Sequence, residues 1–286
     1  MPLNRDRKEE LYAFTQGIKE ARLREWVGKD DVTVYGVVLD GFPRGMPYAC
    51  MLGIYLYLET SPHPSLAKDL RVYPGRVEGL KKKDIHDRKV IIADTTLNDL
   101  TIPLRVARAL AQAERVWHSR MRGVRYVSAT PVRSYTLADI MREAMNAYGD
   151  DVPIHLSDLR LDAESKMKSA MGEAQIPPAP GGYAVVEPES CLAVPLGLAL
   201  RQKGSIAYPL ATSSEEVARL PEGVVPVFFD GLDRVDVERL LRRRYPTDEA
   251  WRAAKLLRRE TREAARARSP VVEIPLTDNL IPLLEE

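Results

Sequence analysis

The first strand-like segment of the chain is an almost unbroken apolar run. Val32 to Leu39 is rich in β-branched residues, which predicts a buried strand that ends at Asp40. A second apolar run, Met46 to Leu58, is compatible with a strand or a helix. Its two tyrosines, Tyr55 and Tyr57, and the short turn before it favour a strand antiparallel to the first.

Further along the chain, strand-like and helix-like patterns alternate. Beside a first helix at 5–28, the patterns predict strands at 70–73, 89–93, 125–129, 152–156, 183–186 and 224–229. They predict helices at 103–121, 136–149, 161–171 and 191–201, a short helix capped at 213–216, and two arginine-rich helices within 235–268 that are separated at residues 245–246. Alternation of this kind predicts an α/β fold with a mixed sheet flanked by helices. Ligands in such folds bind at the carboxyl ends of the strands.

One segment interrupts the pattern. Gln175 to Gly182 contains three prolines and two glycines and predicts a long loop or a hinge between lobes. We expect an α/β core domain over 1–232, with this possible hinge at 175–182, and a basic helical C-terminal extension over 233–286 packed on the core.

Composition narrows the class of protein. With 286 residues, 45% hydrophobic and 29% charged, the chain is too apolar for a disordered protein and too irregular for collagen or a coiled-coil rod. The run from Met46 to Leu58 is too short to cross a bilayer. Two cysteines, Cys50 and Cys191, match no metal-ligand spacing, so we expect a reduced, cytoplasmic protein without a membrane partner. Few amides and many ionic residues are typical of a thermophile.

The formal net charge of +1 conceals an uneven distribution. The stretch from Arg234 to Arg268 carries 12 basic and 6 acidic residues, a local charge of +6, which leaves −5 for the remainder. Either this stretch docks a polyanion, or its arginines line solvated helices and pair with neighbouring acids. The first interpretation predicts nucleic-acid contacts from Arg242, Arg243, Arg244, Lys255, Arg258 and Arg259.

Acidic residues follow several predicted strands. Asp40, Asp94 and Asp230 each come directly after an apolar run, where a carboxylate could bind Mg²⁺ or Mn²⁺. Asp40 and Asp94, with Glu78 between them, have the order found in RNase H-like nucleases. Such enzymes use converging carboxylates to hold two metals that activate water and stabilise the leaving oxygen. We therefore predict an RNase H-like core with Asp40, Glu78 and Asp94 as catalytic metal ligands, and Asp158 or Asp230 as a fourth ligand.

Three short segments resemble those of NurA-type nucleases. They are residues 38–41 (Val-Leu-Asp-Gly), 76–79 (Arg-Val-Glu-Gly) and 92–97 (Ile-Ala-Asp-Thr-Thr-Leu), with Glu78 sixteen residues before Asp94. The chain departs from that family at Phe42 and Thr95, and no histidine follows His155. The resemblance implies Mn²⁺-dependent cleavage of DNA, a homodimer and partnership with a hexameric HerA-type translocase ATPase.

Other motifs either exclude functions or leave alternatives. Residues 37–44 (Val-Val-Leu-Asp-Gly-Phe-Pro-Arg) resemble the nucleoside-monophosphate segment of adenylate kinases, but no GxxxxGK[ST] loop occurs, which argues against a kinase. A metal-dependent nuclease is the leading hypothesis. The alternatives are a non-enzymatic assembly protein, such as a viral structural protein or a nucleoprotein-complex subunit, and a metal-dependent enzyme acting on a small phosphorylated substrate on a doubly wound sheet.

Overall fold

The computed structural model describes residues 9, 12–14, 32–57, 67–97, 100–130, 132–152, 161–207, 209–245 and 247–284. The chain divides into two compact units, Met1–Ile140 and Met141–Glu286, each with a sheet of its own. This boundary differs from the expected one at 232/233. The reason is that the segment after residue 233 supplies a strand to the same sheet as residues 183–185 and 225–230.

The first unit contains a mixed six-stranded sheet in the order β3-β2-β1-β4-β5-β6. Its four inner strands β2, β1, β4 and β5 are parallel, and the two edge strands pair antiparallel to their neighbours. The strands are β1 (Val32–Leu39), β2 (Lys68–Tyr73), β3 (Arg76–Glu78), β4 (Lys89–Asp94), β5 (Gly123–Ala129) and β6 (Val132–Tyr135). The predicted α/β class with a mixed sheet flanked by helices is confirmed.

The second apolar run is a helix, so the prediction of an antiparallel strand was wrong. Helix α1 spans Met46–Tyr57 and connects β1 to β2, which lie parallel to each other. A parallel pair needs a crossover connection, usually a helix, and cannot be joined by a tight turn. The run also contains a single β-branched residue, Ile54, and its twelve residues suit a helix better than a strand.

The remaining helices of the first unit are short α2 (Lys82–Ile85) and long α3 (Thr101–Trp117), and α4 (Leu137–Tyr148) crosses the boundary between the units. Buried side chains of α1 and the central strands form a common core, including Leu52, Val34, Ile91 and Val127. Because both faces are covered, β1 is apolar at nearly every position rather than alternating.

The second unit is built on a parallel three-stranded sheet in the order β7-β8-β9. Its strands are β7 (Tyr183–Val185), β8 (Val225–Asp230) and β9 (Val272–Pro275), and its helices are α5 (Leu161–Glu173), α6 (Ser190–Arg201), α7 (Ser214–Ala218), α8 (Val235–Arg242), α9 (Asp248–Arg266) and α10 (Ile281–Leu284). The arginine-rich stretch thus forms two helices, as predicted, but β9 was missed.

Local capping chemistry explains two helix starts that the sequence predicts. Thr136 and Asp139 exchange backbone-to-side-chain hydrogen bonds at the start of α4, and Ser213 and Glu216 do the same for α7. The predicted strand at 152–156 lies mostly outside the described residues, as does the predicted helix at 5–28. Within the described part of the chain, none of the helices has the length and apolar character needed to span a bilayer.

Candidate functional site

The first sheet reverses its direction of growth between β1 and β4. The chain leaves β1 and adds β2 on one side, and later adds β4 on the other side of β1. In open α/β sheets this topological switch point opens a crevice at the carboxyl ends of the two strands, where ligands bind. Here the crevice is bordered by the loop that follows β1, residues 40–45, and by the segment that follows β4.

The loop after β1 begins with a tight turn. Leu39 and Phe42 exchange backbone hydrogen bonds of 2.9 and 2.7 Å. Between them, Asp40 and Gly41 have φ values of 48° and 84°. Positive φ at both central residues is the geometry that Asp-Gly favours in two-residue turns. Asp40 therefore lies exposed at the tip of this turn.

The same loop then returns to the sheet at Gly45. The Gly45 N–H donates to Val37 O at 2.8 Å, and a Cβ atom at Gly45 would lie 1.8 Å from Ala93 O. Only glycine can approach the backbone of both strands so closely. The loop is consequently fixed against the carboxyl end of β4, where Asp94 lies.

Asp94 is fully buried, and three donors surround its carboxylate. Tyr126 OH donates to Oδ2 at 2.8 Å, the Thr95 N–H donates to Oδ1 at 2.7 Å, and Arg44 Nε lies 3.3 Å from Oδ1. Burial raises the pKa of Asp94, and the two hydrogen bonds and the Arg44 charge oppose that rise. The carboxylate is thus held in one orientation, with Arg44 as its salt-bridge partner.

The contact with Asp94 orients Arg44 through its Nε and leaves the terminal guanidinium nitrogens outside the ion pair. The Arg44 carbonyl accepts a hydrogen bond from Thr95 Oγ1 at 3.2 Å, which joins the two loops. The side chain is 23% exposed, and among the described residues the terminal guanidinium nitrogens have no partner. A planar guanidinium with free N–H groups is suited to bidentate recognition of a phosphate or a carboxylate.

Two helices begin beside this crevice. Helices α1 and α3 follow the loops after β1 and β4, and neither has an acidic residue in its first turn. In the described part of the chain, the N-cap residue of α3, Leu100, makes no side-chain capping hydrogen bond. The backbone N–H groups of a first helical turn and the positive end of the helix dipole favour an anion at such positions. Together with Arg44, these helix ends make the crevice suitable for a negatively charged group.

Glu78, a predicted metal ligand, lies at the edge of the sheet. It ends β3, it is exposed, and its carboxylate pairs with Arg76 Nε at 2.9 Å. Strands β2 and β1 separate it from β4. Three strand spacings amount to roughly 14 Å, too far for Glu78 and Asp94 to share a metal.

Asp40 and Asp94 follow neighbouring strands but lie at different heights. Ala93 pairs with Gly36, which puts Asp94 level with Val37. Asp40 comes three residues later, roughly 10 Å further along the strand direction. Metals of a binuclear site lie ~4 Å apart, so this separation does not favour a site shared by the two carboxylates.

The other predicted ligands are not part of this group. Asp230 ends β8 in the second unit, where it lies 3.5 Å from Arg266 Nη2. Asp158 lies outside the described residues. Among the side chains that the structure describes, no group of three or more His, Cys, Asp or Glu is arranged to hold a metal ion.

Most of the predicted nucleic-acid contacts are engaged in ion pairs within the second unit. Arg258 is buried and, like Arg244, bonds to Glu189, at 2.7 and 2.9 Å. Acidic neighbours pair with the other predicted contacts as follows: Arg242 with Asp248, Lys255 with Glu238, and Arg259 with Glu263. Arg243 is exposed. Charge pairing on helices, the second interpretation of the sequence, therefore accounts for much of the basic stretch, and the nucleic-acid contacts remain a prediction.

Sequence reasoning missed three residues of the crevice. Arg44 and Thr95 could have been found from the sequence. Both lie close to a predicted strand end that is marked by glycine or aspartate. Tyr126 had none, since it is one apolar-run residue among several in β5 and meets Asp94 only through the pairing of β4 with β5.

Comparison with known proteins does not add to this description. No protein-family model matches the sequence, and neither the curated proteins nor the solved structures contain a match.

Proposed function

We propose that the first unit binds a small phosphorylated substrate in the crevice between β1 and β4 and acts on it with the help of Mg²⁺ or Mn²⁺. The observation that carries the proposal is Arg44. Its Nε is held by buried Asp94 at the switch point, while its remaining guanidinium nitrogens are left for an anion. Of the three functions that the sequence leaves open, this one is best supported by the parallel strands on both sides of β1.

Each group around the crevice has a defined part in this proposal. Arg44 would bind the phosphate oxygens, and Asp94 would fix the orientation of Arg44. The N-termini of α1 and α3 would add backbone N–H groups and positive dipole ends. The exposed Asp40 lies at the tip of the loop that borders the crevice, available to a cation that accompanies the phosphate.

A metal fits this arrangement without a cluster of three carboxylates. Mg²⁺ is commonly held by one or two carboxylates together with waters and substrate phosphates, rather than by an all-protein cage. Asp94 is already bonded to Tyr126, Thr95 and Arg44, so the exposed Asp40 is the better candidate ligand. Bound there with a phosphate, the cation would neutralise negative charge on the substrate.

The test is calorimetric titration with a sugar phosphate and a nucleoside monophosphate, with and without Mg²⁺. We expect Arg44→Gln to weaken binding about 10-fold, as a lost charge-assisted hydrogen bond implies. Arg122→Gln is the matched control, because Arg122 is exposed and pairs with Asp87 before the amino ends of β4 and β5, away from the crevice. Equal affinities of wild type and Arg44→Gln, or no binding of either ligand, would refute the proposal.

The nuclease remains a prediction with a direct assay. In its favour, Asp40 and Asp94 do follow neighbouring strands, as predicted. Against an RNase H-like core, β1 has parallel neighbours where that core would have an antiparallel hairpin. Mn²⁺-dependent degradation of linear DNA should be lost in Asp94→Ala; equal activity of both proteins, or none in either, excludes it. The expected homodimer and hexameric translocase partner depend on this activity.

The assembly-protein alternative has a simple discriminator. Light scattering that shows a large closed or filamentous particle, together with no affinity for phosphorylated ligands or divalent metals, would favour it over both enzymes.

A further inference from the structure

The second unit contains a charged pocket of its own, with a volume of ~500 Å³. It lies between the carboxyl end of β8, marked by Asp230, and one side of α9. Six basic side chains line it, along with four acidic ones, which gives the lining a net charge of +2. The basic residues are Arg252, Lys255, Arg258, Arg259, Arg262 and Arg266.

Helical spacing accounts for this concentration of positive charge. The basic residues occur at intervals of three or four positions along α9, from Arg252 to Arg266, so they share one side of the helix. Among the exposed members, Arg259 pairs with Glu263 at 3.9 Å, and both of these side chains are exposed. Such exposed pairs are worth little, so an incoming anion can compete for these cations.

Beneath the pocket a buried polar network continues into the interior. It joins four arginines and two glutamates through ion pairs and hydrogen bonds. Its members are Arg142, Arg244, Arg258, Arg262, Glu187 and Glu189. Five of the six are buried, and Arg244 is 18% exposed. Buried charge without compensation is expensive, so each buried guanidinium of this network needs acceptors for its N–H groups.

Arg262 connects this network to the pocket. It is 8% exposed and lines the pocket, and its Nε and Nη2 find no hydrogen-bond acceptor among the described residues. Glu187 Oε2 lies 3.6 Å from Arg262 Nη2, which is beyond hydrogen-bond distance. This oxygen has no hydrogen-bond donor among the residues that the structure describes. Burial also raises the pKa of Glu187, which works against its neutralising Arg262.

We propose that this pocket binds a small anion that carries phosphate groups. Arg252, Lys255 and Arg262 supply the positive charge, and the anion neutralises the net charge of +2 on the lining and accepts hydrogen bonds from Arg262. The volume lies in the range of ligand pockets and exceeds what a single phosphate fills, which points to a diphosphate or a phosphorylated metabolite. This site belongs to the second unit and does not depend on the crevice at Arg44.

Trp251 provides a local reporter for the test. Lys255 Nζ and Arg258 Cζ, both on pocket-lining residues, lie 5.8 and 5.7 Å from the centre of its ring. Inorganic pyrophosphate is titrated at low and constant ionic strength while tryptophan fluorescence is recorded. A Trp251→Phe variant identifies the part of the signal that belongs to Trp251.

Three variants make the result specific. Arg252→Gln removes an exposed cation of the pocket without disturbing the buried network, so it should fold. Arg219→Gln is the matched control, because Arg219 is exposed and pairs with Glu215 on α7 at 3.7 Å. Arg44→Gln reports on the crevice of the first unit.

We expect a saturable fluorescence change in the wild type, with affinity about 10-fold lower in Arg252→Gln. The affinity should be unchanged in Arg219→Gln and Arg44→Gln. The absence of a saturable change, or equal affinities in Arg252→Gln and Arg219→Gln, overturns the proposal. A change produced by single-stranded DNA but not by pyrophosphate would also overturn it, in favour of a polymer-binding surface.

Discussion

Tyr126 and Asp94 form a buried hydrogen bond between neighbouring strands, with the phenol of β5 donating to the carboxylate of β4 at 2.8 Å. The bond joins a residue with no obvious polar role in the sequence to the one acidic residue at the centre of the crevice. Because Asp94 also contacts Arg44, the orientation of the exposed guanidinium depends on a hydroxyl one strand away.

Tyr126→Phe should therefore destabilise the first unit by about 1–3 kcal/mol, since it leaves a buried carboxylate with one donor fewer. Tyr126 favours the ionised form of Asp94 and lowers its pKa against the effect of burial. The loss should accordingly be larger at pH 8 than at pH 4. Urea unfolding at both pH values measures it, with exposed Tyr148→Phe as the control; a loss that is the same at both pH values would contradict this explanation.

Asp94→Asn should gain stability relative to wild type as the pH rises. Burial raises the pKa of Asp94, so the native state favours its protonated form. The stability that the protonated form contributes is fully present below the ordinary carboxyl pKa. It is lost as the pH rises through the raised pKa of Asp94. Asparagine does not titrate, so the difference in melting temperature should move in favour of the variant between pH 4 and pH 8.

Asp87→Asn is the control of opposite sign for this series. Arg122 lowers the pKa of Asp87 by a hydrogen bond and by its charge. Ionised Asp87 therefore stabilises the wild type increasingly as the pH rises. The melting temperature of the variant should fall relative to the wild type, by a small amount because the side chains of Asp87 and Arg122 are both exposed. If the two variants show the same trend, burial is not what distinguishes Asp94.

Gly45→Ala should displace the loop after β1. A Cβ there would lie 1.8 Å from Ala93 O and 2.6 Å from Val37 N, both backbone atoms that cannot move aside. We expect a loss of about 3 kcal/mol, at the upper end for overpacking, together with weaker phosphate binding because neighbouring Arg44 shifts. Gly172→Ala is the control, since among the described residues no atom beyond the neighbouring residues and backbone of its own helix lies within 4 Å of its Cβ position. Thermal unfolding measures the loss of stability, and calorimetric titration measures the loss of phosphate binding. Unchanged binding in a folded Gly45→Ala protein would show that the position of this loop does not determine binding in the crevice.

The local elements were predictable where one residue type decides the outcome. Thr136 and Ser213 fixed helix starts through their caps, and the Asp40-Gly41 pair indicated a turn. The structure of the run from Met46 was not predictable in this way, because an apolar run of that length is compatible with a strand or a helix. The choice is made by β2, which lies parallel to β1 and so demands a crossover.

The candidate site was predictable only in part, for a related reason. Asp94 was found because a carboxylate directly follows an apolar strand. Glu78 was grouped with it by sequence order, yet strand order puts two strands between them. Spacing along a chain gives no information on strand order, so the partners of Asp94, namely Arg44 and Tyr126, emerge only from the folded sheet.

Glu189→Gln should be the most damaging conservative change in the second unit. Glu189 accepts hydrogen bonds from Arg258 at 2.7 Å, Arg244 at 2.9 Å and Tyr245 OH at 3.2 Å. Removing its charge takes away the acidic partner of two largely buried guanidinium groups, those of Arg244 and Arg258, at a cost of about 3–5 kcal/mol. Exposed Glu215→Gln, which breaks a surface pair with Arg219, should cost less than ~0.5 kcal/mol. Denaturant unfolding followed by Trp251 fluorescence compares the free energies of unfolding of the two variants. Added pyrophosphate should raise the free energy of unfolding of the wild type by more than Glu215→Gln lowers it. Similar losses in both variants would mean that the buried network does not hold the second unit together.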